Sequence, residues 1–126
     1  MILGIGTDLV ELKRIVQVGE DALASKILTF SERAIYEKKK KKSEFLGGRF
    51  AAKEAISKAF GTGIGRFIAF QDIEILPNEL GQPVVSIASI VWEKTERKPA
   101  TIHLTITHSH EYAVAFAILE QRVWNE

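Results

Sequence analysis

The sequence predicts a single α+β domain in which helices pack on a mixed or antiparallel sheet. Three observations lead there. Segments of helical and of strand periodicity interleave along the chain. The last two strands are joined by so short a turn, at His108-Ser109-His110-Glu111, that they form a hairpin. A chain of 126 residues, 46% of them hydrophobic, is the size of one ordinary domain and can bury a real core. No internal repeat and no Pro- or Ser-rich linker divides residues 1–126.

Taken in order, the apolar run from Ile2 to Thr7 reads as a buried strand that ends at Asp8. A helix from about Val10 to Val18 and a second from Glu20 to Leu28 follow. Ser31 suits the N-cap of a third helix through Arg33, Ile35 and Tyr36. The long helix from about Ser43 to Phe60 sets Leu46, Phe50, Ile56 and Phe60 near one stripe, with Gly61 where a C-terminal cap belongs. Gly47-Gly48 inside it costs helix stability, which implies close packing or a nearby ligand. A strand around Gln71 to Leu76, a turn over Pro77 to Gly81 and a strand from Pro83 to Ile87 come next, then a helix from Ala88 to Arg97. Ile102, Leu104 and Ile106 alternate with Thr101, His103 and Thr105, a half-buried strand from which His103 points outward. The unbroken apolar run from Tyr112 to Leu119 reads as a strand covered on both faces.

Composition narrows the function classes. Without cysteine there are no disulfides, thiolate zinc sites or cysteine nucleophiles, and a reducing compartment is suited. No apolar run approaches the roughly 20 residues that span a bilayer, and the start MILGIGTDLVE lacks a basic leader region. A cytoplasmic protein without membrane contact is expected. The net charge of +1, from 17 basic and 16 acidic residues, gives no overall field for nucleic acid. Lysines 38–42 form the one dense cluster, yet five consecutive helical positions at about 100° each sweep a full circle and cannot share one partner. His108 and His110 lack a third ligand nearby for a metal site.

The richest stretch is residues 47–65, GGRFAAKEAISKAFGTGIG, a helix bearing Glu54 and Lys58 one turn apart that runs into Gly61, Thr62, Gly63 and Gly65. It suits a metal-bound phosphate ester. With Asp8, Glu54 would give a hard cation two oxygen donors, and Mg²⁺ takes one or two protein carboxylates and completes its shell with water and phosphate. The residues alone leave ordinary alternatives open: Asp8 as a helix cap, Glu54 as a surface partner of Lys58, and the glycines as a helix-ending turn. They leave open a non-catalytic basic module too, gripping an acidic protein through Lys13 and Arg14.

Four separated blocks, IGTDLVELKRI, GRFAAKEAISKAFGTGIG, GQPVVSI and THSHEYAVAFAIL, resemble in order the holo-[acyl-carrier-protein] synthase family of small 4'-phosphopantetheinyl transferases. The resemblance, running from Ile2 to about Leu119, implies that fold and transfer of the 4'-phosphopantetheine of coenzyme A to a serine of apo acyl carrier protein in fatty-acid synthesis. It further implies Mg²⁺ on Asp8 and Glu54, with Lys58 approaching the phosphates. Coenzyme A would also meet Arg49, the loop of Gly61, Thr62, Gly63 and Gly65, Pro83, and the Thr107-His108 pair, where the family carries Ser-His. Lys13 and Arg14 on the first helix would receive the acidic carrier. The family forms homotrimers with active sites at subunit boundaries, and the apolar last strand fits such an assembly.

Overall fold

The computed structural model describes residues 1–121. Its elements are β1 (Ile2–Glu11), α1 (Leu12–Val18), α2 (Glu20–Ile27), α3 (Phe30–Lys38), α4 (Lys42–Ala59), β2 (Ile73–Pro77), β3 (Pro83–Ile87), α5 (Ser89–Lys94), β4 (Thr101–His108) and β5 (Tyr112–Glu120). A three-stranded sheet has the order β1-β5-β4 and a two-stranded one pairs β2 with β3. Every pairing is antiparallel, which resolves the choice left by the sequence.

The larger sheet is built for a close helix. On β5, Ala113, Ala115, Ala117 and Leu119 face inward and are buried, and in register with them on β1 come Val10, Asp8, Gly6 and Gly4. Helix α4 lies across this face with Ala51, Ala52, Ala55 and Ala59, all buried. A Cβ on Gly6 would overlap the carbonyl oxygen of Ala55, and one on Gly4 that of Ala59. Small residues on both sides thus bring the backbones of β1 and α4 together, and Asp8 extends the same face of β1 as Gly4 and Gly6. Gly47 and Gly48 are explained in the same way: an added Cβ at Gly47 would run into the Leu12 side chain, and at Gly48 it would sit 3.2 Å from Ile106 and 3.4 Å from the His108 ring.

The α2–α3 layer is fastened to α4 by a buried ion pair. Lys53 Nζ donates to Glu32 Oε1 and Ile27 O, both at 2.7 Å, and to Phe70 O at 3.0 Å. The Glu32 carboxylate in turn accepts from the amides of Thr29 and Ile75. Neither side chain is exposed, yet each ammonium proton has an acceptor, which is what makes the burial tolerable.

The structure corrects several sequence expectations. β1 runs on to Glu11, so Asp8 lies within a strand and not at its end, and α1 begins four residues later with Glu11 at its N-cap, removing Asp8 as a cap. Thr29, not Ser31, caps α3: its hydroxyl takes the Glu32 amide while the Glu32 side chain takes the Thr29 amide, a reciprocal capping box. The segment before β2 is a 3₁₀ turn over Phe70–Asp72, and α5 spans six residues. Within one chain β5 is covered on one face: Tyr112, Val114 and Phe116 are 38%, 37% and 40% exposed. Their neighbours in register on β1 include Leu9 and Thr7, so an apolar stripe lies bare on the outer face of the sheet.

Candidate active site

Asp8, Glu54 and Arg14 line one cavity of about 550 Å³ between β1, α1 and α4. Val10, Ile15, Val18, Leu23 and Phe50 give it an apolar wall. Sequence reasoning assigned Phe50 to a core stripe; its ring stacks on Phe70 at 5.6 Å, and only the folded arrangement of α1, α2 and α4 shows that it borders this space too. Tyr112 and Glu11, at the mouth of the β1–β5 ladder, were missed for the same reason.

Lys58 does not pair with Glu54. Its Nζ lies 3.0 Å from Asp8 Oδ1 and 3.1 Å from Thr7 O, so the i,i+4 pairing that the spacing allowed is replaced by a bridge from α4 to β1. Burial, then the negative charge of Asp8, push the Glu54 carboxyl above its ordinary range, and Lys58 pulls it part of the way back. Two carboxylates that repel each other in a partly desolvated cleft fit a divalent cation. Among the described residues no cluster of three or more His, Cys, Asp or Glu could hold a metal. An ion here would therefore take its remaining ligands from water and substrate, as Mg²⁺ does.

The other expected contacts lie elsewhere. Arg49 and His108 line a second cavity of about 380 Å³ with Lys39 and Lys41. The Arg49 guanidinium lies over the Phe45 ring at 4.6 Å, its buried Nε has no partner, and burial lowers its pKa. Such a donor invites an anion. Arg49 and Lys58 are nine residues apart on α4, about 180° around and about 13 Å along it, so the two groups fall on opposite sides of a largely buried helix. Pro83 borders an apolar space with Trp92 and Pro99, and Thr107 is exposed on the outer face of β4. His103, exposed there as expected, meets Glu120 at 2.8 Å.

Lys13 and Arg14 diverge. Arg14 opens onto the carboxylate cavity, while Lys13 lines a groove with Lys40, Lys41, Lys42 and His110, because successive helical residues point about 100° apart. The glycine loop is corrected in its chemistry. Gly61 and Gly63 do adopt positive φ, at 82° and 66°. However, the amides of Gly61, Thr62, Gly63 and Gly65 donate to Lys58 O, Ser57 O, Ser57 O and Ile68 O, so they are not free for an anion. The loop offers open space instead: nothing lies within 4 Å of a Cβ placed on Gly61, Gly63 or Gly65.

A family model described as the 4'-phosphopantetheinyl transferase superfamily matches residues 4–117. The chain belongs to that superfamily. Its similarity to the curated "Holo-[acyl-carrier-protein] synthase" of Bacillus subtilis (strain 168) is 48% identity over 125 residues, covering 96% of this chain and 98% of the relative. Among solved structures, the holo-(acyl-carrier-protein) synthase of Bacillus anthracis, in complex with CoA (3',5'-ADP), superimposes with a TM-score of 0.84 at 42% identity, over 97% of this chain and 99% of that one. The enzyme from Neisseria meningitidis gives a TM-score of 0.86 at 35% identity, over 96% and 100%. In this phosphopantetheinyl transferase, Asp8 and Glu54 line one cavity, with Lys58 bound to Asp8, and Arg49 and His108 line another.

Proposed function

We propose that this protein is a holo-[acyl-carrier-protein] synthase: it moves the 4'-phosphopantetheine of coenzyme A onto a serine hydroxyl of apo acyl carrier protein and releases adenosine 3',5'-bisphosphate. The observation that carries the reading is the meeting of Asp8 and Glu54 in one cavity, with Lys58 bound to Asp8, in a chain matched almost end to end by enzymes of that name. The reaction is substitution at phosphorus, in which the protein's task is alignment and charge neutralisation.

Mg²⁺ held by Asp8 and Glu54 would neutralise charge on the pyrophosphate. Lys58, on a long stem with half its side chain exposed, reaches the same place and stabilises charge toward the leaving group. Arg14 at the rim faces an incoming acidic carrier. Arg49 and His108 suit a phosphate remote from the reacting one, the guanidinium offering donors in a fixed fork.

A coenzyme A molecule cannot touch Lys58 and Arg49 of one chain without wrapping around α4. A homotrimer, with one subunit giving Asp8, Glu54 and Lys58 and its neighbour giving Arg49 and His108, removes that obstacle. The bare stripe of Ile5, Leu9, Val114 and Phe116 supports it, since 62%, 62%, 37% and 40% exposure on one sheet face calls for a cover. Light scattering at working concentration should report about three times the 14.1 kDa chain mass, and a fully active monomer would refute the shared site. No helix among the described residues is long and apolar enough to cross a membrane, and the cysteine-free composition suits the cytoplasm, where we place its role in fatty-acid synthesis.

The metal is tested by Asp8→Asn and Glu54→Gln at limiting Mg²⁺. Each should keep the fold and lose transfer activity by orders of magnitude, and near wild-type transfer by either removes the metal assignment.

A further inference from the structure

Both hydrogen bonds of the Lys58 ammonium go to β1, to Asp8 Oδ1 at 3.0 Å and to the Thr7 carbonyl at 3.1 Å. The Asp8 side chain is 17% exposed against 50% for Lys58. The carboxylate is thus held in place while the ammonium reaches it on a flexible stem from the solvent side. A divalent cation on Asp8 would face this ammonium across a few ångströms, and the repulsion weakens metal binding by about tenfold even at the screening of bulk water. Glu54, one turn before Lys58 on α4, feels its charge but forms no ion pair with it; the ammonium pairs with Asp8.

We propose that Lys58 bars Asp8 to a divalent cation until a phosphate gives its ammonium another anion to bind, so that the metal and the pyrophosphate of coenzyme A enter together. The proposal rests on the reading of Asp8 and Glu54 as metal ligands. It gives Lys58 a positioning role toward the metal, distinct from its contact with phosphate. With its ammonium drawn to the pyrophosphate, Lys58 would leave the Asp8 carboxylate, together with Glu54, open to hold the metal. By linkage, the factor by which coenzyme A tightens the metal equals the factor by which the metal tightens coenzyme A. The device keeps the cleft from filling with a free divalent ion that has no substrate to act on.

The test is Mn²⁺ binding, followed by the loss of the free-ion electron paramagnetic resonance signal, with and without coenzyme A. Lys58→Met should bind Mn²⁺ about tenfold more tightly than wild type without coenzyme A, and the tightening on adding coenzyme A should shrink by about the same factor. Arg14→Met controls for the general field, because Arg14 lines the same cavity without an ion pair to Asp8; its Mn²⁺ affinity should rise by less than about threefold. Equal or weaker Mn²⁺ binding by Lys58→Met, or an equal gain in Arg14→Met, overturns the proposal and leaves the metal site standing. Wild-type protein that takes up no Mn²⁺ with saturating coenzyme A, or Glu54→Gln that binds it as well as wild type, overturns the metal assignment and the proposal together.

Discussion

Gly6→Ala is the perturbation that joins fold to chemistry. The added Cβ would overlap the Ala55 carbonyl oxygen and lie 2.8 Å from the Ala59 amide nitrogen, both backbone atoms of a buried helix that cannot swing aside. Relief requires β1 and α4 to separate by about an ångström, and overpacking of that kind costs up to about 3 kcal/mol. Alanine recovers part of this by stiffening the unfolded chain, about 0.4–1 kcal/mol, leaving a net loss of about 2 kcal/mol. For a domain of this size that lowers the melting temperature by about 8 °C. Asp8 lies two residues along on the same face of β1, so it moves away from Glu54 and Lys58, and displacement of about 1 Å costs about 100-fold in turnover. Urea denaturation gives the stability and transfer kinetics the rate. Gly65→Ala is the stability control, because its Cβ would meet nothing within 4 Å and its φ is not in the left-handed region. A Gly6→Ala protein that melts lower but turns over normally would refute the claim that the close approach of β1 to α4 sets the position of Asp8.

Other consequences follow from the same geometry. Because burial and Asp8 raise the folded pKa of Glu54 above its unfolded value, Glu54 contributes stability in acid that is lost as pH rises through that raised value. Glu54→Gln should therefore gain thermal stability relative to wild type at neutral pH and lose that advantage in acid, and a constant difference across pH would contradict it. Lys53→Met strands the unexposed Glu32 carboxylate and should cost about 3–5 kcal/mol in urea melts, with Glu32→Gln added to it recovering part of the loss. If the double variant is no better than the single one, the penalty is not that of an orphaned charge. Arg14→Glu should raise the KM for carrier several-fold at low salt, with little change in the coenzyme A KM, because it reverses the charge at the mouth of the cavity; an unchanged carrier KM returns that residue to ordinary surface.

Much of this was legible in the sequence. The strands alternate, the helices show their stripes, and IGTD and KEAISK stand out because their chemistry is carried by residue type and by i,i+4 spacing. What periodicity cannot show is which oxygen an ammonium chooses. Lys58 prefers Asp8, 50 residues away, to Glu54 four residues away, since β1 crosses α4 at that turn. The end of β1 was misplaced because Leu9-Val10-Glu11-Leu12 suits either state until pairing with Tyr112 to Val114 decides it. Thr29 and Ser31 are both acceptable caps, and the winner was fixed by Glu32, which Lys53 and Ile75 hold in the core. The glycine loop differs in another way: glycine permits amides to approach an anion, but whether they are free depends on how the chain leaves α4, and here the carbonyls of Ser57, Lys58 and Ile68 take them.

The most direct test of the central claim is the intact mass of an apo acyl carrier protein incubated with this protein, coenzyme A and Mg²⁺. The carrier should gain one phosphopantetheinyl group in the presence of wild-type protein and none with Asp8→Asn over the same time. A carrier that binds but keeps its apo mass, or that is modified equally well by Asp8→Asn, would contradict transfer through the Asp8–Glu54–Lys58 cleft.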